Sequence, residues 1–237
     1  MTIDEDEAEG REMQPLTTNK CKYVVSFSNL MSLSQIKRRA YLQKVSVNEF
    51  ILGCISKATC IFSEGQQVRV TITISGSMHD PEPDLTKFRP NNEIINVPII
   101  LRLKIELPQA IEEATKSTAC MNDAVFVNHL YQRQNKIVNH QCCDTFNSKR
   151  ALDRIKKFDE DNIAFSLTNI AASLENQWTF GGKKTLWAAM TTAHTTTNIT
   201  LVSLDDSLKL VITSKRDRFE QSKKLLDIIE RIILSDD

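Results

Sequence analysis

The sequence is short of the features that most readily announce a function. It holds only six glycines and six prolines in 237 residues. That scarcity excludes a collagenous, linker-rich or low-complexity chain. Aromatic residues make up 6%, and none interleaves with the basic clusters described below, so single-stranded bases have no stacking platform. Lysine plus arginine equals aspartate plus glutamate, 30 of each, which removes the overall field of a dominant nucleic-acid binder. No uninterrupted apolar run reaches about 18 residues, so no membrane-spanning helix is expected. The acidic start lacks the basic and apolar regions of a secretory signal, and none is expected. The six cysteines then fit reduced thiols in a cytoplasmic or nuclear protein.

Constellations that carry chemistry are also missing. Cys120, His129, His140, Cys142 and Cys143 fall within 24 residues. Zinc needs thiolates and imidazoles in tight pairs such as C-x2-C, and adjacent Cys142-Cys143 is not such a pair. A Cys/His nucleophile drawn from the same residues would need an orienting third group and an oxyanion site, and nothing nearby supplies either. Gly181-Gly182-Lys183-Lys184-Thr185 lacks the first glycine of a phosphate loop and a strand follows it, so it reads as a basic β-turn. Asp80, Glu82 and Asp84 alternate with two prolines and read as a solvated loop, not a calcium site. No catalytic residue, metal ligand or cofactor is assigned, and the chain reads as a non-enzyme.

What is present is a core. Hydrophobic residues are 41% and charged residues 25%, an ordinary globular balance. Val68 to Ile74 alternates Val68, Val70, Ile72 and Ile74 on one face with Arg69, Thr71 and Thr73 on the other, the period of a half-buried strand. Ile94 to Leu107 is its natural partner, with Leu101, Leu103, Ile105 and Leu107 expected inside and Pro98 at an edge or bulge. Around this pair the spacing predicts a strand over Lys22–Phe27, a helix over Gln35–Lys44 capped by Ser34, and a helix over Val47–Lys57. The second of these helices starts at the capping box Ser46-x-x-Glu49. A short strand Cys60–Phe62 and a Gly65 turn lead back to the pair. Pro108–Lys116, a helix from the Asn122-Asp123 cap to about Val138 with Val125, Phe126, Leu130 and Ile137 inward, and Lys149–Phe158 follow as helices. Residues 163–174 fit strand or helix equally. Thr185–Ala193 and Thr195–Leu204 read as strands, the latter turning at Asp205-Asp206 into Leu208–Thr213. A closing amphipathic helix runs from about Arg216. The fold class is α+β, a mainly antiparallel sheet with flanking helices. Residues 1–20 read as a disordered acidic tail and 21–237 as one domain. Removing the first twelve residues takes away six acids and one arginine, leaving about +5 and a mildly basic body.

Contact is therefore expected through surfaces. Three basic faces offer themselves: Lys37, Arg38 and Arg39; Lys149, Arg150, Arg154, Lys156 and Lys157; and Lys215, Arg216 and Arg218 with Lys223 and Lys224. The last has the form of a split nuclear-import signal. A proline-containing loop, Ser75 to Glu93, presents Met78, Phe88 and Arg89. The whole-chain profile of charged tip, α+β body and basic patches, with Val68–Ile74 and Ile94–Leu107 where a central sheet would stand, resembles matrix proteins of plant-infecting rhabdoviruses. The resemblance implies a virion component that self-associates and touches nucleoprotein or an anionic membrane surface, with no small-molecule substrate. Two other classes remain beside it: an adaptor domain, and an enzyme whose active-site residues are dispersed along the chain.

Overall fold

In the computed structural model, residues 23–77, 94–132, 165–171, 179–180, 183–184 and 197–235 are described. Strands β1 (Tyr23–Phe27) and β2 (Met31–Ser32) lead into helices α1 (Leu33–Leu42) and α2 (Val47–Phe62). Strands β3 (Arg69–Ser77) and β4 (Ile94–Arg102) precede α3 (Leu107–Thr118), a 3-10 turn over Ala119–Asn122 and a helix over 124–132, α4. Then come β5 (Phe165–Ala171), the short strands β6 (Thr179–Phe180) and β7 (Lys183–Lys184), and the hairpin β8 (Thr197–Leu204) and β9 (Ser207–Lys215). A 3-10 turn over Arg216–Arg218 opens the last helix, α5 (Phe219–Leu234). The α+β class, the mostly antiparallel sheet and the closing helix are as the sequence predicts.

Helix starts follow local chemistry. The Ser46 hydroxyl accepts from the Glu49 amide at 3.3 Å while the Glu49 carboxylate accepts from the Ser46 amide at 2.7 Å, so the capping box forms in full. The cap of α1 is Ser32, not Ser34: its hydroxyl accepts from the Gln35 amide. Ser34 instead donates its amide to Asp206 at 2.6 Å, which ties the β8–β9 turn to the helix start. That hydrogen bond, with those of the Ser32 and Ser34 hydroxyls, holds the Asp206 carboxyl below its ordinary range. Cys60–Phe62 is no strand. Three apolar residues were too few to break a helix already running, and α2 carries on to Phe62 before Glu64 and Gly65, both at positive φ, reverse the chain.

The large sheet has the order β1-β9-β8-β5-β3-β4, with β2 also on β9. Its outer pairs are antiparallel, but β3 and β8 both flank β5 in parallel. The expected pair forms, with Val70 opposite Leu101 and Ile72 opposite Ile99. It is the margin of the sheet, however, and not its centre. Val68 precedes the strand and is 72% exposed. The alternation ends at Leu103, because the chain leaves the sheet after Arg102 to enter α3. Ile105 is consequently exposed, and Leu107 is buried as a helical residue. Residues 163–174, which periodicity left open, contain β5 in the middle of the sheet. Short apolar runs buried on both faces carry no alternation to read.

One face of the sheet meets the helices. Ile72, Ile74, Val97, Leu101, Leu167, Leu201, Leu210 and Ile212 form a single core with Phe50, Ile51, Leu52 and Ile55 of α2 and Leu226, Ile229, Ile232 and Ile233 of α5. Each such side chain contributes about 1.5–3 kcal/mol over leaving it in water. α2 packs between α3 and α5. Glu230, buried in α5, accepts from the Asn29 amide and from its side chain at 3.1 and 2.7 Å, fixing α5 to the β1–β2 connection. Asp123 caps α4 through the amides of Val125 and Phe126. That cap sets the helix phase, so Val127, Leu130 and Tyr131 meet the core and the expected Val125 and Phe126 face outward.

No single described helix is long and apolar enough to cross a membrane. The predicted tail, the 78–93 loop, the helix over Lys149–Phe158 and the strand over Thr185–Ala193 lie outside the described residues.

Candidate binding cleft

The parallel arrangement of β3 and β5 creates a place that periodicity did not mark. Both strands run toward the same end of the sheet, and a cleft of about 310 Å³ lies against Ile74 and Ser75 of β3 and Leu167 and Asn169 of β5. The volume sits at the lower limit of ligand pockets. Four elements build it. Ser46, Asn48, Glu49 and Leu52 come from the first turns of α2, and Ile74 and Ser75 from the end of β3. Leu167 and Asn169 come from β5, and Thr118, Met121 and Asn122 from the end of α3 and its 3-10 extension.

The lining divides into a floor and a mouth. Leu52, Ile74 and Leu167 are buried, so the floor is apolar. The mouth is polar. Asn169 donates its side-chain amide to the Asn48 side-chain carbonyl at 2.7 Å, a bond joining residues far apart in sequence. The Ser75 hydroxyl, on the other face of β3 from Ile74, donates to the Asn96 side chain at 2.7 Å. Glu49 is the one titratable side chain among the described residues that line the cleft, and it accepts from the Ser46 amide.

The residues singled out from the sequence do not meet here. Lys37 and Arg38 are exposed on α1, whereas Arg39 turns inward. Its Nη1 donates to the carbonyls of Ile232 and Ile233 at the end of α5, and its guanidinium lies 5.2 Å from the Phe50 ring centroid. Lys215 is half-buried at the end of β9, and Arg216, Arg218, Lys223 and Lys224 are exposed around the start of α5. Lys149, Arg150, Arg154, Lys156 and Lys157 lie outside the described residues, as do Met78, Phe88 and Arg89. Cys120 is half-buried and His129 is exposed on α4, while His140, Cys142 and Cys143 lie outside the described residues. No metal-holding group of three or more ligands occurs among the described residues. Strands β6 and β7 pair with Phe180 opposite Lys183. Residues 181–182 between them lie outside the described residues, and the flanking elements are both strands, unlike a phosphate loop, which joins strand to helix.

Cys54, on the apolar spacing of α2 with Phe50, Ile51 and Ile55, is the most deeply buried cysteine of those described. Burial pushes its thiol from 9.0 up to about 12, against smaller opposing effects of Arg39 and Lys57. A thiol this far from ionisation is no nucleophile. In the native protein at pH 8, iodoacetamide is expected to modify Cys60 and Cys120 while sparing Cys54 until the chain unfolds. Peptide mass spectrometry reads this directly, and early labelling of Cys54 would contradict it. The unfolded thiol ionises near its ordinary value and the native one does not, so this group's contribution to stability falls as the pH rises from 9 toward 12.

No family model and no curated protein sequence matches the chain. Solved structures do. The wax ester synthase/diacylglycerol acyltransferase from Marinobacter aquaeolei VT8 superposes at a TM-score of 0.54, with 12% identity over 89% of this chain and 47% of its own. The first condensation domain of the calcium-dependent antibiotic synthetase gives 0.54, with 10% identity over 89% and 45%. The nonribosomal peptide synthetase FmoA3 gives 0.59, with 11% identity over 91% and 22%. At these identities the likeness is one of fold. This chain spans less than half the length of each. The finding overturns the matrix-type reading: the architecture that the charged tip and basic patches suggested for a virion component is an architecture built by enzymes.

Proposed function

We propose that this chain forms an acyltransferase-type lobe and takes part in transferring an acyl group to a nucleophile. The observation carrying the proposal is the superposition of 89% of the chain on 47% of an enzyme named as a wax ester synthase/diacylglycerol acyltransferase. The cleft supports it chemically, because an apolar floor below a polar mouth suits a hydrocarbon chain ending in a polar group.

Acyl transfer to an alcohol forms a carbon–oxygen bond at the carbonyl carbon and breaks the bond to the donor's leaving group, which departs with the proton from the hydroxyl. A base near neutral pH assists, and histidine is the usual one. The sequence has four histidines, His79, His129, His140 and His194. His129 is exposed and lines no part of the cleft. His129 is therefore not assigned as that base, and His79, His140 and His194 lie outside the described residues.

The test is direct. The purified chain, at concentrations spanning its assembly states, is incubated with oleoyl-CoA and 1-hexadecanol, and ester is measured by mass spectrometry. Ester formation above the protein-free rate is expected, and His129→Ala is expected to leave it unchanged. No ester at any concentration, together with no acyl chain retained in native mass spectra, would overturn the proposal.

A further inference from the structure

We infer that the cleft against β3 and β5 binds the acceptor of the reaction, a neutral hydroxyl-bearing molecule with an apolar stem, and not the activated acyl donor. This deepens the acyl-transfer reading and rests on it for the word acceptor; the binding itself stands on the cleft.

Three features of the lining lead there. The first is charge. Among the described residues around the cleft there is no lysine or arginine, and the one ionisable group is the carboxylate of Glu49. Phosphates and carboxylates are bound by cationic forks or dense donor sets. Among the described residues, a ligand carrying either would meet only a like charge here, which favours a neutral ligand over the phosphate-bearing part of a donor.

The second is the hydrogen-bonding character of the mouth. The Asn169–Asn48 bond consumes one amide hydrogen of Asn169 and one lone pair of Asn48. Each asparagine side chain offers two amide hydrogens and two carbonyl lone pairs. The joined pair therefore retains both donors and acceptors, held in one place by a contact between α2 and β5. A hydroxyl both donates and accepts, and matches such a pair on both counts. An ammonium only donates and uses half of it. Glu49 accepts one bond from the Ser46 amide within the capping box and keeps its charge and further lone pairs, so an ammonium is the sharpest competitor among the probes.

The third is size. A volume of about 310 Å³ corresponds to roughly ten water-sized groups at about 30 Å³ each. Leu52, Ile74 and Leu167 supply the apolar contact for a stem of that length.

The experiment uses the whole chain and four probes with one stem: 1-octanol, octanoate, octyl phosphate and octylammonium. Binding is followed by titration calorimetry and by protection against thermal unfolding. 1-Octanol is expected to bind at least tenfold more tightly than each of the other three. Asn169→Ala, which removes half of the amide pair at an exposed position, is expected to weaken octanol at least fivefold without a change in unfolding temperature. Asn169→Lys is expected to reverse the preference toward octanoate, a response that a merely structural asparagine would not produce. Equal or tighter binding of octanoate or octyl phosphate to the native chain would overturn the inference, and so would tighter binding of octylammonium. Octanol binding that is indifferent to both Asn169 variants would do the same.

Turnover separates this inference from the reading beneath it. If octanol binds as described and is never acylated from oleoyl-CoA, the site stands and the acyl-transfer proposal falls. If octanol is acylated and Asn169→Ala leaves its KM untouched, the transfer stands and the site falls.

Discussion

Replacing Gly53 with alanine is expected to destabilise the protein by about 1–3 kcal/mol, and replacing it with leucine to cost more. Gly53 sits where α2 crosses α3. A Cβ built there would lie 2.5 Å from Ile111 Cγ1, 2.9 Å from Ile111 Cα and 3.0 Å from the Ile111 amide nitrogen. The first contact yields to a rotamer change. The other two involve backbone, and no rotamer relieves them, so the helices must part or shift. Alanine would return about 1 kcal/mol of helix propensity, and the steric term outweighs it. The midpoint of urea unfolding measures the effect, and an alanine variant as stable as the parent would refute the account. The cleft should suffer too. Its walls include Asn48 and Glu49 of α2 and Thr118, Met121 and Asn122 after α3, so parting the two helices moves one wall away from the other. Octanol affinity is expected to fall along with stability in this variant, whereas in Asn169→Ala only affinity falls.

Arg39→Ala is expected to cost about 1.5–3 kcal/mol, the range for hydrogen bonds made by a charged group. Lys37→Ala and Arg38→Ala are expected to stay within about 0.5 kcal/mol, as exposed substitutions do. The three residues are consecutive and look equivalent in sequence. Only Arg39 turns under α1 to reach the last carbonyls of α5 and lie over Phe50. Those carbonyls are orphans of a helix end, where a cation also complements the helix dipole. Arg39→Lys is expected to recover part of the loss, because an ammonium keeps the charge and gives up the planar fork. Equal effects from the three alanine variants, read from thermal unfolding, would show that the α5 contact contributes nothing.

That triplet illustrates what the sequence could tell. Local signals were legible where the cause is local. The capping box at Ser46, the Pro108 helix start, the Asp205-Asp206 turn and the stripe of α5 each depend on neighbours a few residues away, and each is realised. Failures arose where the cause is distant. Arg39 is inward because α5, nearly two hundred residues later, ends beside it. Ser34 is not a cap because Asp206 claims its amide. The candidate cleft was invisible for the same reason. Asn48 reads as an ordinary second helical residue, and Asn169 falls in a run whose strand character comes from lying between β3 and β8. Only the parallel register, Ser75 opposite Thr168, brings the two ends together. Their juxtaposition has no signature in spacing along the chain. The functional reading failed for a different reason: basic patches on a neutral chain describe solvation, and solvation is common to many functions.

The margin of the sheet has a consequence of its own. Pro98 and Ile100 stand two apart on β4 and so direct their backbone groups to the same side. Ser117 of α3 donates to the Ile100 carbonyl at 3.0 Å, and proline brings no amide hydrogen at all. A foreign strand arriving along β4 would find one acceptor occupied and one donor missing within three residues. Strand addition is disfavoured over that stretch of the flank. The same two features thus discourage a second copy from continuing the backbone ladder of β4 there.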